Sequence, residues 1–377
     1  MSDSAHPLLP AATPLLHDGT EGVRVGGVDT GPGLALGPEH TEVVALLRGL
    51  DGRRAQRAVL GDAVLAGFDP VVVEEVLEGL RAAGLLVDLD AGDLLASVAG
   101  PAAAARTAPE LPAALTRPGG WRARRRATVV VQGATRVGTP LAAMLAASGI
   151  GRVTVRDPGV TAAGDAVVGG LSAEDEGRPR ALAAADAVRR ASPLTDLRPL
   201  PSDSDADLVV LARPWAASDP LVAGLQRSGV PHVVATVRGE TGVVGPLVVP
   251  GVTSCLHCAD LHRRDVDPRW PRLAAQLTAG EAPPSGSTIT CLLTAATAAL
   301  QVLAYVDGSA APGVLEATVE LRPPHLTPRL RRWPPHRDCP CRAADATAPT
   351  GTATTRPGDP ATTPAGAEVR RQGTMGG

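Results

Sequence analysis

The chain has 377 residues, 44% of them hydrophobic, which is enough to bury the core of more than one domain. Its formal net charge of −3 gives no field that would direct it to nucleic acid or an anionic membrane, so a partner has to be argued from individual sites. All 36 basic residues are arginine and asparagine is absent, which excludes a phosphate-loop lysine, a Schiff-base lysine and a catalytic asparagine.

The first residues, MSDSAHPLLP, lack the basic-then-apolar order of a secretory signal. No apolar run is expected to reach the roughly 18 to 20 residues that span a bilayer. The expectation is a cytoplasmic protein with no membrane span. Short extended pieces between residues 13 and 36 (TPLLHDG, GVRVGG, GLALG) predict small strands, and helical spacing begins near Pro38 with Val43, Leu46, Leu47 and Leu50. In DPVVVEEVLEGLRAAGLLVDLD, Asp69 predicts an N-cap, Pro70 a first helical position, and Val73, Leu77 and Leu80 a shared face. Gly84 ends that helix before the strand LLVDL. Three helices and then a strand give residues 1–95 the order of a winged-helix-like α+β domain. Residues 38–88 carry five arginines against nine acids, the wrong balance for phosphate binding, so protein or peptide recognition is preferred to DNA.

Residues 96–122 are rich in alanine and proline and read as a linker. The basic run WRARRRA is read as a solvated flank of the next block, residues 123–342. There TVVV reads as a buried parallel strand, followed by the turn GATRVG, whose glycines are Gly133 and Gly138, and by a helix carrying Leu141, Met144 and Leu145. The turn departs from the dinucleotide fingerprint at its middle glycine. A second strand, RVTVRD, ends at Asp157, 24 residues after Gly133. Taken alone, that acid suits an ordinary strand end as well as a ribose hydroxyl. The segment GRPRALAAADAVRRASP predicts an amphipathic helix with Leu182 inward, and DLVVLA, PLVAGLQRSG and VPHVVATV repeat the strand–helix–strand cycle of a doubly wound, Rossmann-like α/β sheet. RGETGVVGPLVVPG then reads as two short strands in a hairpin-like return.

Cys255 and Cys258 form a C-x-x-C pair, and about eighty residues on Cys339 and Cys341 form a C-x-C pair. Four thiolates in two close pairs suit a closed, tetrahedral structural zinc site, which holds the fold and activates no water. His257 and His336 lie close enough to replace a thiol but rank behind the four cysteines. Cys291, on the apolar stretch STITCLLTAATAALQVLAYVDG, is expected to be packed rather than reactive. Trp121, Trp215 and Trp270 fit an interface or a core equally. Residues 343–377 are too poor in large apolar side chains to order themselves and read as a disordered tail. The closing pair Gly376-Gly377 is read as chance in that tail.

The order of glycine turn, RDP strand end, GRPRA helix start, DLVVLA strand, GVVGPLVVPGVTSCLHC and CPC resembles the ThiF/MoeB superfamily, relatives of the ubiquitin-activating enzymes. The resemblance implies a doubly wound domain that binds ATP and magnesium, adenylates the C-terminal carboxylate of a peptide or small protein, and forms a homodimer. On its terms Gly133, Gly138 and Asp157 fit the phosphate turn and ribose acid, and Arg180 stands at the family's lysine. The family's asparagine and arginine–glutamine pair have no counterpart in TAAGDAVVGGLSAEDEG. Its magnesium-binding aspartate falls on Pro214, which cannot ligate a metal, beside Arg213, which would repel one. Adenylation is therefore expected to be degenerate, with Asp207 or Asp219 as the available substitutes for the lost acid. No catalytic residue is assigned. The small N-terminal domain ahead of such a block also resembles the leader-peptide-binding ThiF-like proteins that accompany cyclodehydratases in thiazole/oxazole-modified peptide biosynthesis. That resemblance implies a peptide clamped as an added strand near residues 13–36 and a modifying enzyme as partner.

Overall fold

A computed structural model describes residues 5–10, 12–17, 22–27, 32–37, 43–90, 106–114, 119–215, 219–278, 285–308, 310–325 and 327–342. The tail beyond 342, its final glycine pair and most of the linker lie outside the described residues.

In the N-terminal part, β1 (His6–Leu8) precedes an antiparallel three-stranded sheet of β2 (Leu15–His17), β3 (Val23–Gly26) and β4 (Gly33–Leu36). Helices α1 (Val43–Leu47), α2 (Gln56–Leu65) and α3 (Pro70–Ala82) follow, and then β5 (Val87–Leu89). Asp69 caps α3 by accepting the Val71 N–H at 2.9 Å, and Gly84 takes φ +69 to leave it. Val73, Leu77 and Leu80 are buried with Val23, Val25 and Leu36 of the small sheet, so one apolar face per helix builds this core. The helix–helix–helix–strand order is present, but β5 pairs with β1 rather than with a second wing strand. Leu8 and Leu89 of that pair pack on Ala114 and Trp121, fastening this part to the rest of the chain.

Residues 106–114, which include α4 (Leu111–Ala114), and α5 (Gly120–Arg126) are helical. Arg124 corrects the expectation of a solvated basic run: it is 2% exposed and grips Asp307 through Nε and Nη2 at 2.7 and 2.6 Å. A bidentate carboxylate is what makes a buried guanidinium tolerable there.

The main sheet has seven strands: β6 (Thr128–Gln132), β7 (Arg152–Arg156), β8 (Leu208–Leu211), β9 (His232–Arg238), β10 (Thr241–Val248), β11 (Ala317–Arg322) and β12 (Thr327–Arg332), in the spatial order 12-11-10-9-8-6-7. β7, β6, β8 and β9 are parallel, and the remaining pairs are antiparallel. The continuous apolar run of β6 serves two cores, with Val129 and Val131 on one face and Val130 on the other. Helices α6 (Gly138–Ala147) and α7 (Arg180–Ala191) cover the first face, and α8 (Pro220–Arg227) and α9 (Leu256–Val266) the second. Helix α10 (Trp270–Thr278) follows α9.

Three further expectations are corrected. The expected hairpin-like return is present, since β10 runs back antiparallel on β9, but it is one strand, not two, because the chain absorbs a register shift between Val244 and Leu247 without leaving the sheet. Leu182 is 60% exposed, since α7 packs through Ala183, Ala184, Ala187 and Val188, whose small side chains allow close approach to the equally small face of α6. Helix α11 (Thr288–Asp307) has 20 residues at a mean hydropathy of 1.8, long and apolar enough to cross a membrane by length and composition, which no run was expected to be. Its Ala295, Ala298 and Val302 are buried against the sheet, and Cys291 with them, so here it is the domain's central helix. Trp121 and Trp215 are buried and Trp270 is half-buried.

Candidate functional site

β6 and β8 are neighbours whose following segments run to opposite sides, so their C-terminal ends form the switch point where doubly wound sheets hold ligands. The turn after β6 requires its glycines. Gly133 has φ +114, and a Cβ on Gly138 would come within 2.1 Å of the Gly133 carbonyl oxygen and 2.8 Å of Ala212. Glycine at both positions lets α6 start tight against the loop after β8.

Within this turn, two backbone donors at the phosphate position are bonded inside the protein. The Ala134 N–H donates to Asp157 Oδ2 at 2.9 Å, and the Gly138 N–H donates to the Thr135 hydroxyl at 3.0 Å. Thr135 in turn donates to the Ala212 carbonyl at 2.9 Å. Asp157 also accepts the Gly159 N–H through Oδ1 at 2.8 Å, so both of its oxygens serve its own loop. Arg180, the residue at the family's lysine, reaches Asp165 at 3.0 Å and stands 3.8 Å from Asp157. Arg136 ties the turn to the start of α11 through the Gly286 carbonyl and the Thr288 hydroxyl, each at 2.9 Å. The cavity enclosed by Thr135, Arg136, Asp165, Arg180 and Pro214 measures about 100 Å³. Small-molecule pockets run to roughly 300–1,000 Å³.

Gly133, Gly138, Asp157 and Arg180 thus meet at one end of the sheet. Asp207 does not join them: it accepts the Thr128 N–H at 2.8 Å, at the N-terminal ends of β6 and β8. Asp219 is closer in sequence to Pro214, but Arg213 binds its Oδ2 at 2.9 Å while its Oδ1 caps α8 on the Leu221 N–H. Thr135, Arg136 and Asp165 were not foreseen as parts of this site. A threonine inside a turn whose middle glycine is missing was the available signal, because its hydroxyl can replace a ligand oxygen.

The four expected thiols converge on the second face of the sheet. Cys255 begins α9 as its N-cap and Cys258 lies in the first turn, while Cys339 and Cys341 follow β12. Their Sγ atoms all lie within 4.8 Å of one another, with Cys255–Cys339 at 3.5 Å, Cys258–Cys341 at 3.6 Å and Cys255–Cys258 at 3.9 Å. Sulfurs about 2.3 Å from a tetrahedral zinc stand about 3.8 Å apart, so the cluster could hold a metal ion such as zinc. The Cys255 thiol donates to Cys258 and holds it down to about 4, whereas burial pushes Cys339 up to about 12. Four thiolates this close need a cation between them. Ser254 fixes the first pair by donating its N–H to Glu316 at 3.0 Å and its hydroxyl to the Trp333 carbonyl at 2.6 Å. His257 is exposed, and His336 binds Asp265 at 2.8 Å, so neither replaces a cysteine in this cluster.

Residues 109–343 match the family model described as the ThiF family. Among solved structures the chain is similar to E. coli MccB with ATP, at 16% identity and TM-score 0.58, covering 89% of this chain and 99% of that one. It is similar to the Microcin C7 biosynthetic enzyme MccB in complex with N-formylated MccA at 15% identity and TM-score 0.58, with the same shares covered. PaaA is a further likeness, at 16% identity and TM-score 0.54, covering 69% of this chain and 91% of that one. No curated protein matches significantly. These identities establish a shared fold, and the coverage by MccB extends it beyond the family segment into the N-terminal part.

Proposed function

The chain belongs to the ThiF family, and we propose that it has kept the family's nucleotide fold without its adenylation chemistry, binding a peptide or small protein and presenting it to a modifying enzyme. One observation carries this reading: the groups that would hold a nucleotide and its magnesium are bonded to one another. Asp157 takes the Ala134 N–H and Thr135 the Gly138 N–H, Arg180 is paired with Asp165, and Arg213 holds Asp219 beside Pro214. Phosphoryl and acyl-phosphate chemistry depends on metal and cationic groups placed in advance where charge develops, so losing several together costs far more than tenfold in rate. The four cysteines hold a structural zinc in this account. The peptide docks on the three-stranded sheet of residues 15–36, where backbone hydrogen bonds at a strand edge need no special side chains. MccB, which the chain resembles in fold, is described with MccA bound, and this supports such a partner.

A second reading, ATP-dependent adenylation of a C-terminal carboxylate, is favoured by the glycine geometry at Gly133 and Gly138 and by the description of MccB with ATP. ATP–pyrophosphate exchange separates the two. The scaffold reading expects none above background; exchange that disappears in Asp157→Ala would establish the second.

A further inference from the structure

Beside the four-cysteine cluster, a cavity of about 400 Å³ opens between α9 with Trp270 and the sheet face carrying Arg238, Glu320 and Arg331. Three guanidiniums meet three indole rings here. Arg263 lies over Trp333, Trp270 and Trp215 at 4.4, 5.2 and 5.9 Å, Arg238 over Trp215 at 5.7 Å, and Arg331 over Trp333 at 4.2 Å.

The acids nearby are already matched. Asp260 pairs with Arg263 at 3.0 Å and also accepts the Trp270 indole N–H at 3.0 Å. Glu320 pairs with Arg322 at 2.6 Å, and Asp267 with Arg269 at 3.0 Å. Among the described residues, no carboxylate lies within ion-pair distance of Arg238 or Arg331, which rest on aromatic faces, while Asp260 and Glu320 act on Arg238 from farther off. We propose that this cavity is a binding site for the carboxylates of an acidic peptide, with Arg238 and Arg331 as the anion ligands and Arg263, held by Asp260, as the charge beneath them. It deepens the function proposed above and rests on that reading for the peptide.

Electrostatics supports the assignment. Burial and the neighbouring Arg238 push Arg263 down to about 10, so the cations raise one another's energy in a place where an anion would relieve them. Planar guanidiniums spread over rings are suited to carboxylates, which they can meet in a two-point fork. The surroundings favour a peptide over a free phosphate. β12 is the edge strand of the seven-stranded sheet, exposed along its length, and Thr327, Arg329 and Arg331 alternate onto one face of it. An extended peptide lying along that edge gains backbone hydrogen bonds while its alternate side chains face the arginines. The cavity also adjoins the switch point, since Thr236 and Val237 line the small pocket there and Arg238 lines this one.

Trp270 lines the cavity, and the buried Trp215 and Trp333 lie against its arginines, so intrinsic fluorescence reports on it. The full chain is titrated with the peptide Ac-Gly-Glu-Glu-Glu-Gly-amide, its glutamine counterpart, the glutamine peptide with a free C-terminal carboxylate, and inorganic phosphate. The expected result is a saturable change with the glutamate peptide that is absent with the amidated glutamine peptide and is weakened at least fivefold in Arg331→Gln, an exposed position that leaves the core intact, and in Arg238→Gln. Equal binding of the free-terminus peptide would assign the site to chain ends; its failure to bind would assign it to side chains. Unchanged affinity in Arg331→Gln, equal binding of the amidated glutamine peptide, or phosphate binding as tight as the glutamate peptide overturns the proposal. None of these probes needs ATP or the N-terminal sheet. A silent titration therefore removes this site alone, and nucleotide exchange activity would remove the scaffold reading alone.

Discussion

Arg213 Nη2 and Asp219 Oδ2 lie 2.9 Å apart, so the acid nearest in sequence to Pro214 is bound to the cation beside it. The other Asp219 oxygen caps α8, leaving neither free for a metal. Asp219→Ala should lower stability by about 1 kcal/mol, as loss of an N-cap does, and leave nucleotide affinity unchanged. Denaturant unfolding and a nucleotide titration of the variant check both halves. A magnesium-dependent loss of ATP binding in Asp219→Ala would show that this carboxylate serves a metal after all.

The thiol cluster predicts one zinc per chain in native mass spectrometry. Cys258→Ser should abolish that stoichiometry and lower the unfolding midpoint, because structural zinc binding contributes directly to folding. Cys291→Ala, on the buried face of α11, should keep the metal. Retention of a full equivalent of zinc by Cys258→Ser would place the ion elsewhere.

The Arg124–Asp307 pair joins α5 to the C-terminal end of α11 in the interior, with side-chain exposures of 2% and 4%. Removing Asp307 leaves the buried Arg124 with only the Glu110 carboxylate among the described residues, at 3.6 Å, so Asp307→Ala should cost about 3 kcal/mol. The double variant Arg124→Met with Asp307→Leu should recover most of it. Equilibrium unfolding of the three proteins tests this, and additive losses in the double variant would contradict it.

His232 is fully buried, with Nδ1 on the Val230 carbonyl at 2.9 Å and Nε2 without a partner among the described residues, and burial pushes its pKa below the ordinary 6.5. The unfolded chain therefore takes up the proton first as pH falls. The stabilisation is complete above pH 6.5 and is lost as pH drops toward the folded value, at no more than about 1.4 kcal/mol per pH unit. In His232→Leu the decline in urea midpoint between pH 6.5 and 5 should be shallower than in the parent chain. An unchanged slope would assign the acid sensitivity to other groups.

Much of this arrangement was legible in the sequence wherever one periodicity decided it. The run TVVV, the cap Asp69 and the two cysteine pairs each carry a local signal strong enough to place an element or a cluster. What escaped depends on partners distant in sequence. Arg124 is read as solvated until Asp307, far along the chain, is brought to it. Leu182 is read as inward because leucine outranks alanine in hydropathy, yet close helix packing selected the alanine face. The small strand β5 could be predicted, but its pairing with β1 could not, since register across eighty residues leaves no local mark. At the nucleotide cradle the lost groups were visible one by one. That Asp157 and Thr135 turn to the loop's own backbone and Arg180 to Asp165 required the fold.

The central claim concerns that inward turn, and calorimetric titration of the zinc-loaded protein with ATP and magnesium tests it most directly. No heat of binding up to millimolar nucleotide, in protein shown to be folded and metal-loaded, is the predicted result. Saturable binding at micromolar ATP that is lost in Asp157→Ala would contradict it, and would mean that the cradle opens to a nucleotide.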